Sequence, residues 1–487
     1  MVSALDWICA VLLALLPILQ HYRGLLGFVA SAFLNNILPA HYINLADNMS
    51  ISLMILMAPY LAVRFFACLK EKNFKGLLLV SPLIAFYIYK VIDHGTSVAE
   101  LLQVGLSIGY LVCLGMGCID LKKFLKAATV IACVAAVGLI AQYVCYYIFD
   151  FHLQLVPDRF LLPSAEQWVL GVRTGRYSVT GNKTLFYRTA AIFLEPSHLL
   201  MYTFPLLPIK LYQKEKKLID WITSGLMALS LVLSTSGMGL AVVFCVLVLF
   251  AMLWNEKNGE ITLTGLKKGK NWLRGICTAL VLLILFLNIP SINSSMAHII
   301  GRKQISISMF FPSQSVQPNQ GGTVDGNDTM PNGETMPDDW IETSPEETEP
   351  QMQLAKPIVA EKNAVSGRVK GAIKILKNMN VRQWIIGCSD STAGTNTNMP
   401  GFMAIAYKYG IIGLLLSYAF FAFGLVKFGA GYFWATVIWF IVSFFSTHTH
   451  GMIYILFYIM LFYGGYEEST RPWIMEFKDV FRFRKAK

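Results

Sequence analysis

Apolar stretches near the ~20 residues needed to cross a bilayer recur from one end of this chain to the other. They fall at 4–19, 50–68, 76–92, 98–118, 127–149, 191–212, 219–236, 238–254, 276–290, 401–425, 430–446 and 450–466. The expectation is an all-α polytopic membrane protein with about 12 transmembrane helices and two large extracytoplasmic loops. Composition agrees, since 14% of residues are charged, where an ordinary soluble domain carries roughly 25%.

The connections test that expectation. Lys70, Lys72 and Lys75, then Lys122, Lys123 and Lys126, then Lys210, Lys214, Lys216 and Lys217, then Lys267, Lys268, Lys270 and Arg274, and the tail from Arg471 to Lys487 occupy alternate connections. Cationic connections face the cytoplasm, so both termini are expected there. The segments then read as 1–149, N-terminal spans; 150–190, first outer loop; 191–290, central spans; 291–400, second outer loop; 401–466, C-terminal spans; and 467–487, a basic cytoplasmic tail. Residues 24–46 are apolar but contain Asn35, Asn36, Pro39 and His41, and read as an outer interfacial or re-entrant segment.

A net charge of +11 does not call for nucleic acid as a partner, because the cations sit where anionic inner-leaflet lipids attract them. The tail interleaves aromatics with cations, as an interfacial anchor does. Eight of the nine cysteines lie in or beside apolar runs, which leaves Cys388 alone in an outer loop with no His nearby to activate it. No zinc spacing, Walker motif or dinucleotide fingerprint occurs, and neither a cofactor nor a cleavable signal peptide is expected.

The second outer loop has two parts. Residues 311–353 are rich in Pro, Gly, Asp, Glu, Ser and Thr, without a cation between Lys303 and Lys356. Such a composition predicts an acidic insert unable to bury enough apolar surface to order itself. From Lys362 to Met379, Val365, Val369, Ile373 and Leu376 recur at helical spacing, with Arg368, Lys370, Lys374 and Lys377 elsewhere on the circumference. This predicts an amphipathic surface helix capped near Ser366, suited to an anionic head group.

The residues with chemical potential cluster in or beside the outer loops. Arg173, Arg176 and Arg188 belong to the first loop and Arg302, Arg368 and Arg382 to the second. Guanidinium groups bind phosphate oxygens bidentately and suit a diphosphate. Phe193-Leu194-Glu195-Pro196-Ser197-His198 leads back into the membrane. Pro196 fits a first helical turn, which makes Glu195 a cap stabilised by the positive helix end, and the same carboxylate is placed to act as a general base. His198 follows three residues later on roughly the same face. His448 and His450 end a later span at a spacing unsuited to a metal, and Ser234 to Gly239 reads as a tight connection between spans.

In these features the chain resembles the O-antigen ligase and polymerase superfamily, and within it the Wzy-type repeat-unit polymerases. The resemblance rests on the span number, the two loops with their arginines, the Phe193 to His198 stretch, Leu233-Ser-Thr-Ser-Gly237, Ser366-Gly-Arg368 with Trp384 and Gly387, and Lys408-Tyr-Gly-Ile-Ile-Gly413. It implies a metal-independent, inverting glycosyltransferase of the bacterial plasma (inner) membrane. Its substrates would be polyprenyl-diphosphate-linked oligosaccharides, and its partners a flippase and a chain-length regulator, in capsule or exopolysaccharide assembly. Related ligases use a His in the second loop as base. Here Ser389 to Pro400 contains none, so Glu195, Asp390 or His448 is the expected base, with Arg173, Arg176, Arg188 and Arg368 on the diphosphate. A flippase of the same lipid would carry its cations inside the spans and would not need long loops.

Overall fold

The computed structural model describes residues 2–24, 48–69, 75–94, 98–149, 151, 153–156, 189–213, 216–255, 260–261, 268–289, 365–388, 399–446 and 451–468. The chain divides into two units, Met1–Ile305 with Asn363–Lys487, and Ser306–Lys362. The second unit, which contains the predicted acidic insert, lies outside the described residues, as do residues 25–46 of the segment 24–46 and the tail 469–487.

The described chain is a helical bundle. Its helices are α1 (Val2–Leu19), α2 (Met49–Leu69), α3 (Lys75–His94), α4 (Val98–Gly115), α5 (Leu121–Ile148), α6 (Pro196–Thr203), α7 (Leu206–Leu211), α8 (Leu218–Leu233) and α9 (Gly237–Leu253). A two-stranded antiparallel ribbon, β1 (Trp254–Asn255) and β2 (Glu260–Ile261), precedes α10 (Gly269–Asn288), α11 (Val365–Lys377), α12 (Val381–Ile386), α13 (Gly401–Lys427), α14 (Ala430–Phe445) and α15 (Met452–Glu468). Five helices, α2, α3, α5, α10 and α13, are long and apolar enough to cross a membrane, and six shorter apolar helices accompany them. Their outer faces carry exposed Leu56, Val63, Phe66, Leu78 and Ile92. Large aliphatic and aromatic side chains turned outward over whole helices belong in hydrocarbon, and the protein is membrane-embedded.

At the centre lies α15, buried at every position from Ile453 to Tyr463, as expected of a helix that is apolar all round. Beside it run α6 and α7, also almost wholly buried. The expected continuous span 191–212 is broken here. It opens with a turn at residues 191–195, and between α6 and α7 comes Phe204-Pro205, where proline supplies no amide hydrogen and clashes with the preceding turn. Tyr202 and Tyr458 repair the packing by donating to the carbonyls of Ala14 and Met201, at 3.0 Å each.

Contacts sort the helix ends into two sets. In one, Asp6 of α1 accepts from Tyr60 of α2 at 2.5 Å and Lys123 of α5 at 3.2 Å. Gly76 of α3 approaches Gly115 of α4 and Tyr463 of α15 in the same set. In the other, Tyr22 after α1 donates to the Ile192 carbonyl, Tyr143 of α5 to Leu233 of α8, and Tyr89 of α3 to Ile386 of α12.

Two glycines join α12 to α13. Gly387 (φ 91°, ψ −178°) ends α12, and Gly410 (φ 63°, ψ −166°) breaks the expected continuous span 401–425. Both conformations are essentially restricted to glycine. Each sits against the other's segment: a Cβ on Gly387 would fall 2.1 Å from the Lys408 carbonyl oxygen, and one on Gly410 would fall 2.3 Å from that of Ile385. The Cys388 amide also donates to the Tyr407 carbonyl at 2.8 Å.

The amphipathic helix is present, as α11, with its face turned from the expected one. Ala372, Leu376 and Met379 are buried against Met399, Met403 and Ala406, while Ile373 is 40% exposed. Ser366 is the second residue of α11 and not its cap.

Candidate active site

The turn that leads into α6 is fixed by α5. Gln142 is buried, and its Oε1 accepts from Thr189 Oγ1 at 2.7 Å and from the Ala191 amide at 3.0 Å, while its Nε2 donates to the Leu153 carbonyl at 3.0 Å. Ala191 is held at φ 54°, a left-handed conformation that costs a non-glycine residue energy and persists where its surroundings enforce it. The chain then turns through Phe193, whose amide donates to the Ala190 carbonyl at 2.9 Å, and reaches Glu195.

Glu195 caps α6 as expected, with extended backbone (φ −147°, ψ 163°) and Pro196 in the first turn. Its carbonyl accepts from the His198 and Leu199 amides at 3.0 and 3.2 Å. Its carboxylate makes no capping hydrogen bond to the helix and instead accepts from the Ser197 hydroxyl. Among the described residues no cation forms an ion pair with it. A half-buried carboxylate at the positive end of a helix, engaged by a single hydroxyl, retains lone pairs for a further donor such as a sugar hydroxyl.

His198 points into the bundle, with 4% of its surface exposed. Its ring stacks on His21 at a centroid distance of 4.6 Å and an interplanar angle of 18°, and on Tyr454 at 6.2 Å and 30°. The Tyr454 hydroxyl donates to the His198 carbonyl at 3.5 Å and bonds the Gln20 side chain, and the Glu195 charge acts on it electrostatically. Tyr22 donates to the Ile192 carbonyl in the turn before α6, and burial pushes its hydroxyl up to about 12, so it remains a hydrogen-bond donor at neutral pH.

Of the expected site residues, the described chain brings Glu195 and His198 together. Arg368 falls in the first turn of α11. Arg173, Arg176, Arg188, Asp390, His448 and Arg302 lie outside the described residues, and Arg382 is exposed on α12. His21, Gln20 and Tyr454 were not expected. They belong to helix ends far apart in sequence, and the only sign of them was a polar Gln-His-Tyr-Arg run directly after the first apolar segment. Cys388 is 6% exposed, and burial pushes its thiol up from the ordinary value, opposite to what a nucleophile needs. Ser234 to Ser236 form the tight turn between α8 and α9, with Thr235 at φ 51°.

No family model, no curated protein and no solved structure matches this chain.

Proposed function

We propose that the chain is a Wzy-type polymerase of capsular, exopolysaccharide or O-antigen-like repeat units. It would transfer glycan from a polyprenyl-diphosphate carrier to a sugar hydroxyl of a second lipid-linked unit at the outer face of the bacterial plasma membrane. The observation that carries this reading is Glu195, a carboxylate left out of helix capping at the mouth of the buried, broken α6–α7 segment, between two arginine-bearing loops.

The topology of the proposal has twelve spans. These are the five long helices, the six shorter apolar helices and the α6–α7 segment. The first set of helix ends carries Lys75, Lys122, Lys123, Lys126, Lys216, Lys217, Lys268 and Lys270 and is assigned to the cytoplasm, with both termini. Glu195, α11 and α12 then face outward.

In the proposed reaction the acceptor hydroxyl attacks the anomeric carbon and gives its proton to Glu195. The bond to the diphosphate breaks, and Arg368 with Arg173, Arg176 and Arg188 neutralises the departing charge. His198, packed between His21 and Tyr454, holds the α6 entrance in place. No metal ion or nucleotide is required, because the diphosphate is already an activated leaving group. Asp390 and His448 are the next candidates for the base.

Glu195→Gln preserves shape and removes the base, and Arg368→Lys preserves charge and removes the bidentate fork. Each is expected to reach the membrane, stop long-chain polymer and leave single lipid-linked units at the outer face. Units trapped on the cytoplasmic side would mark a flippase, and normal polymer with both substitutions combined would remove these residues from the mechanism.

A further inference from the structure

Three of the nine cysteines meet at the end of α4. The turn after that helix is a Schellman motif: the Gly117 amide donates to the Leu114 carbonyl and the Cys118 amide to the Cys113 carbonyl, both at 2.9 Å, with Gly117 at φ 76°. This cap places residues 113 and 118 side by side although five positions separate them. Cys68, at the end of α2, packs against the same turn. The Cys118 thiol hydrogen-bonds with the thiols of Cys113 and Cys68, and the Arg64 guanidinium acts electrostatically on Cys118.

The cluster is nearly closed to water, with Cys118 at 2% and Cys68 at 8% exposure. Cys113 differs. It lines one end of an apolar groove of about 720 Å³ between α2 and α4, whose other walls include Ala58, Leu61, Phe65, Gly105 and Gly109. The size lies within the ~300–1,000 Å³ of ligand pockets. A Cβ added at Gly105 or Gly109 would meet no atom within 4 Å, so the glycines keep the groove open. It runs along membrane-embedded helices, so the molecules that reach Cys113 come from the hydrocarbon phase. Among the described residues no group of three or more Cys, His, Asp or Glu is arranged to hold a metal ion.

We propose that Cys113 and Cys118 form a reactive dithiol that reduces hydrocarbon-soluble organic hydroperoxides, such as oxidised fatty acyl chains, and closes to a disulfide. The Cys113 sulfur attacks the terminal peroxide oxygen and the O–O bond breaks. The alkoxide leaves as the alcohol with the thiol proton, and Cys113 becomes a sulfenic acid. The Cys118 sulfur then attacks the Cys113 sulfur, the S–O bond breaks, and hydroxide departs as water with the Cys118 proton. One hydroperoxide and two thiols give one alcohol, one water and one disulfide. The Cys68 sulfur, beside Cys118, is placed to attack the Cys118 sulfur, which breaks the Cys113–Cys118 bond, moves the disulfide to Cys68–Cys118 and returns Cys113 as a thiol with the Cys68 proton. This inference stands whether or not the chain polymerises glycan.

The test uses the full chain, reduced and reconstituted in lipid nanodiscs, treated with cumene hydroperoxide or hydrogen peroxide and followed by peptide mass spectrometry. Exposed Cys245 and Cys277 serve as internal references. A Cys113–Cys118 disulfide is expected to form about tenfold faster than oxidation of the references, and faster with cumene hydroperoxide than with hydrogen peroxide. Cys118→Ser should stop at a Cys113 sulfenic acid that dimedone traps. Gly109→Leu, which fills the groove, should slow cumene hydroperoxide alone. Oxidation of Cys113 no faster than that of Cys245, or an undiminished cumene hydroperoxide rate in Gly109→Leu, would overturn the proposal.

Discussion

Replacing Gly387 by alanine strikes the joint that fastens α12 to α13. Alanine would have to hold φ 91° and ψ −178°, a region essentially closed to side chains, at about 1–3 kcal/mol. Its Cβ would also fall 2.1 Å from the Lys408 carbonyl oxygen and 2.4 Å from the carbonyl carbon. Backbone yields less readily than the end of a flexible side chain, and forced overpacking of this kind adds about 1–3 kcal/mol. The total is about 2–6 kcal/mol. Gly109→Ala is the control: it lies within α4 with open space around it, where alanine should stabilise by about 0.5–1 kcal/mol. The full chain would be unfolded from mixed micelles with increasing SDS and the midpoints compared. Because Gly387 and Gly410 press on each other's segments, the double alanine variant should cost less than the sum of the single ones by about 0.5–3 kcal/mol. Equal midpoints for Gly387→Ala and Gly109→Ala, or strict additivity at 387 and 410, would show that the two glycines do not constrain each other's segments.

Two further outcomes follow from single side chains. Gln142→Leu should cost about 2–6 kcal/mol, because the Ala191 amide and the Leu153 carbonyl each lose a partner at about 1–3 kcal/mol; an unchanged SDS midpoint would contradict this. Lys216 sits 4.2, 4.4 and 4.7 Å from the rings of Trp254, Phe250 and Trp221, and burial lowers it from 10.5 to about 8. Between about pH 8 and 10.5 the unfolded chain then holds the proton that the folded chain has released, so stability rises with pH across that window. Thermal midpoints of the natural chain should therefore climb relative to Lys216→Met from pH 8 to 10, and parallel profiles would show that the rings fully compensate the buried charge.

Much of the fold was readable because hydrocarbon imposes a one-dimensional rule. An apolar run of the right length marks a membrane helix wherever its neighbours lie, and runs such as 50–68, 76–92 and 430–446 reappear as α2, α3 and α14 within a few residues. Glu195 at its cap was readable because Pro196 acts locally. What escaped depends on contacts between distant segments. Apolarity is blind to the break at Phe204-Pro205, since Leu206 to Leu211 resume the same hydrophobic character. The face of α11 is decided by the methionines it meets on and before α13, so small Ala372 is buried and larger Ile373 faces out. The joint of Gly387 with Gly410, and the pairing of His21 with His198, join positions that no local pattern connects.

Reconstitution decides whether this chain joins lipid-linked repeat units through Glu195. The purified chain would be placed in liposomes containing a polyprenyl-diphosphate-linked oligosaccharide, in buffer with a chelator and no nucleotide, and the products sized by electrophoresis. A ladder of polymer with release of polyprenyl diphosphate is expected, and its loss in Glu195→Gln. Substrate that crosses the bilayer without lengthening, or a ladder unchanged in Glu195→Gln, would contradict it.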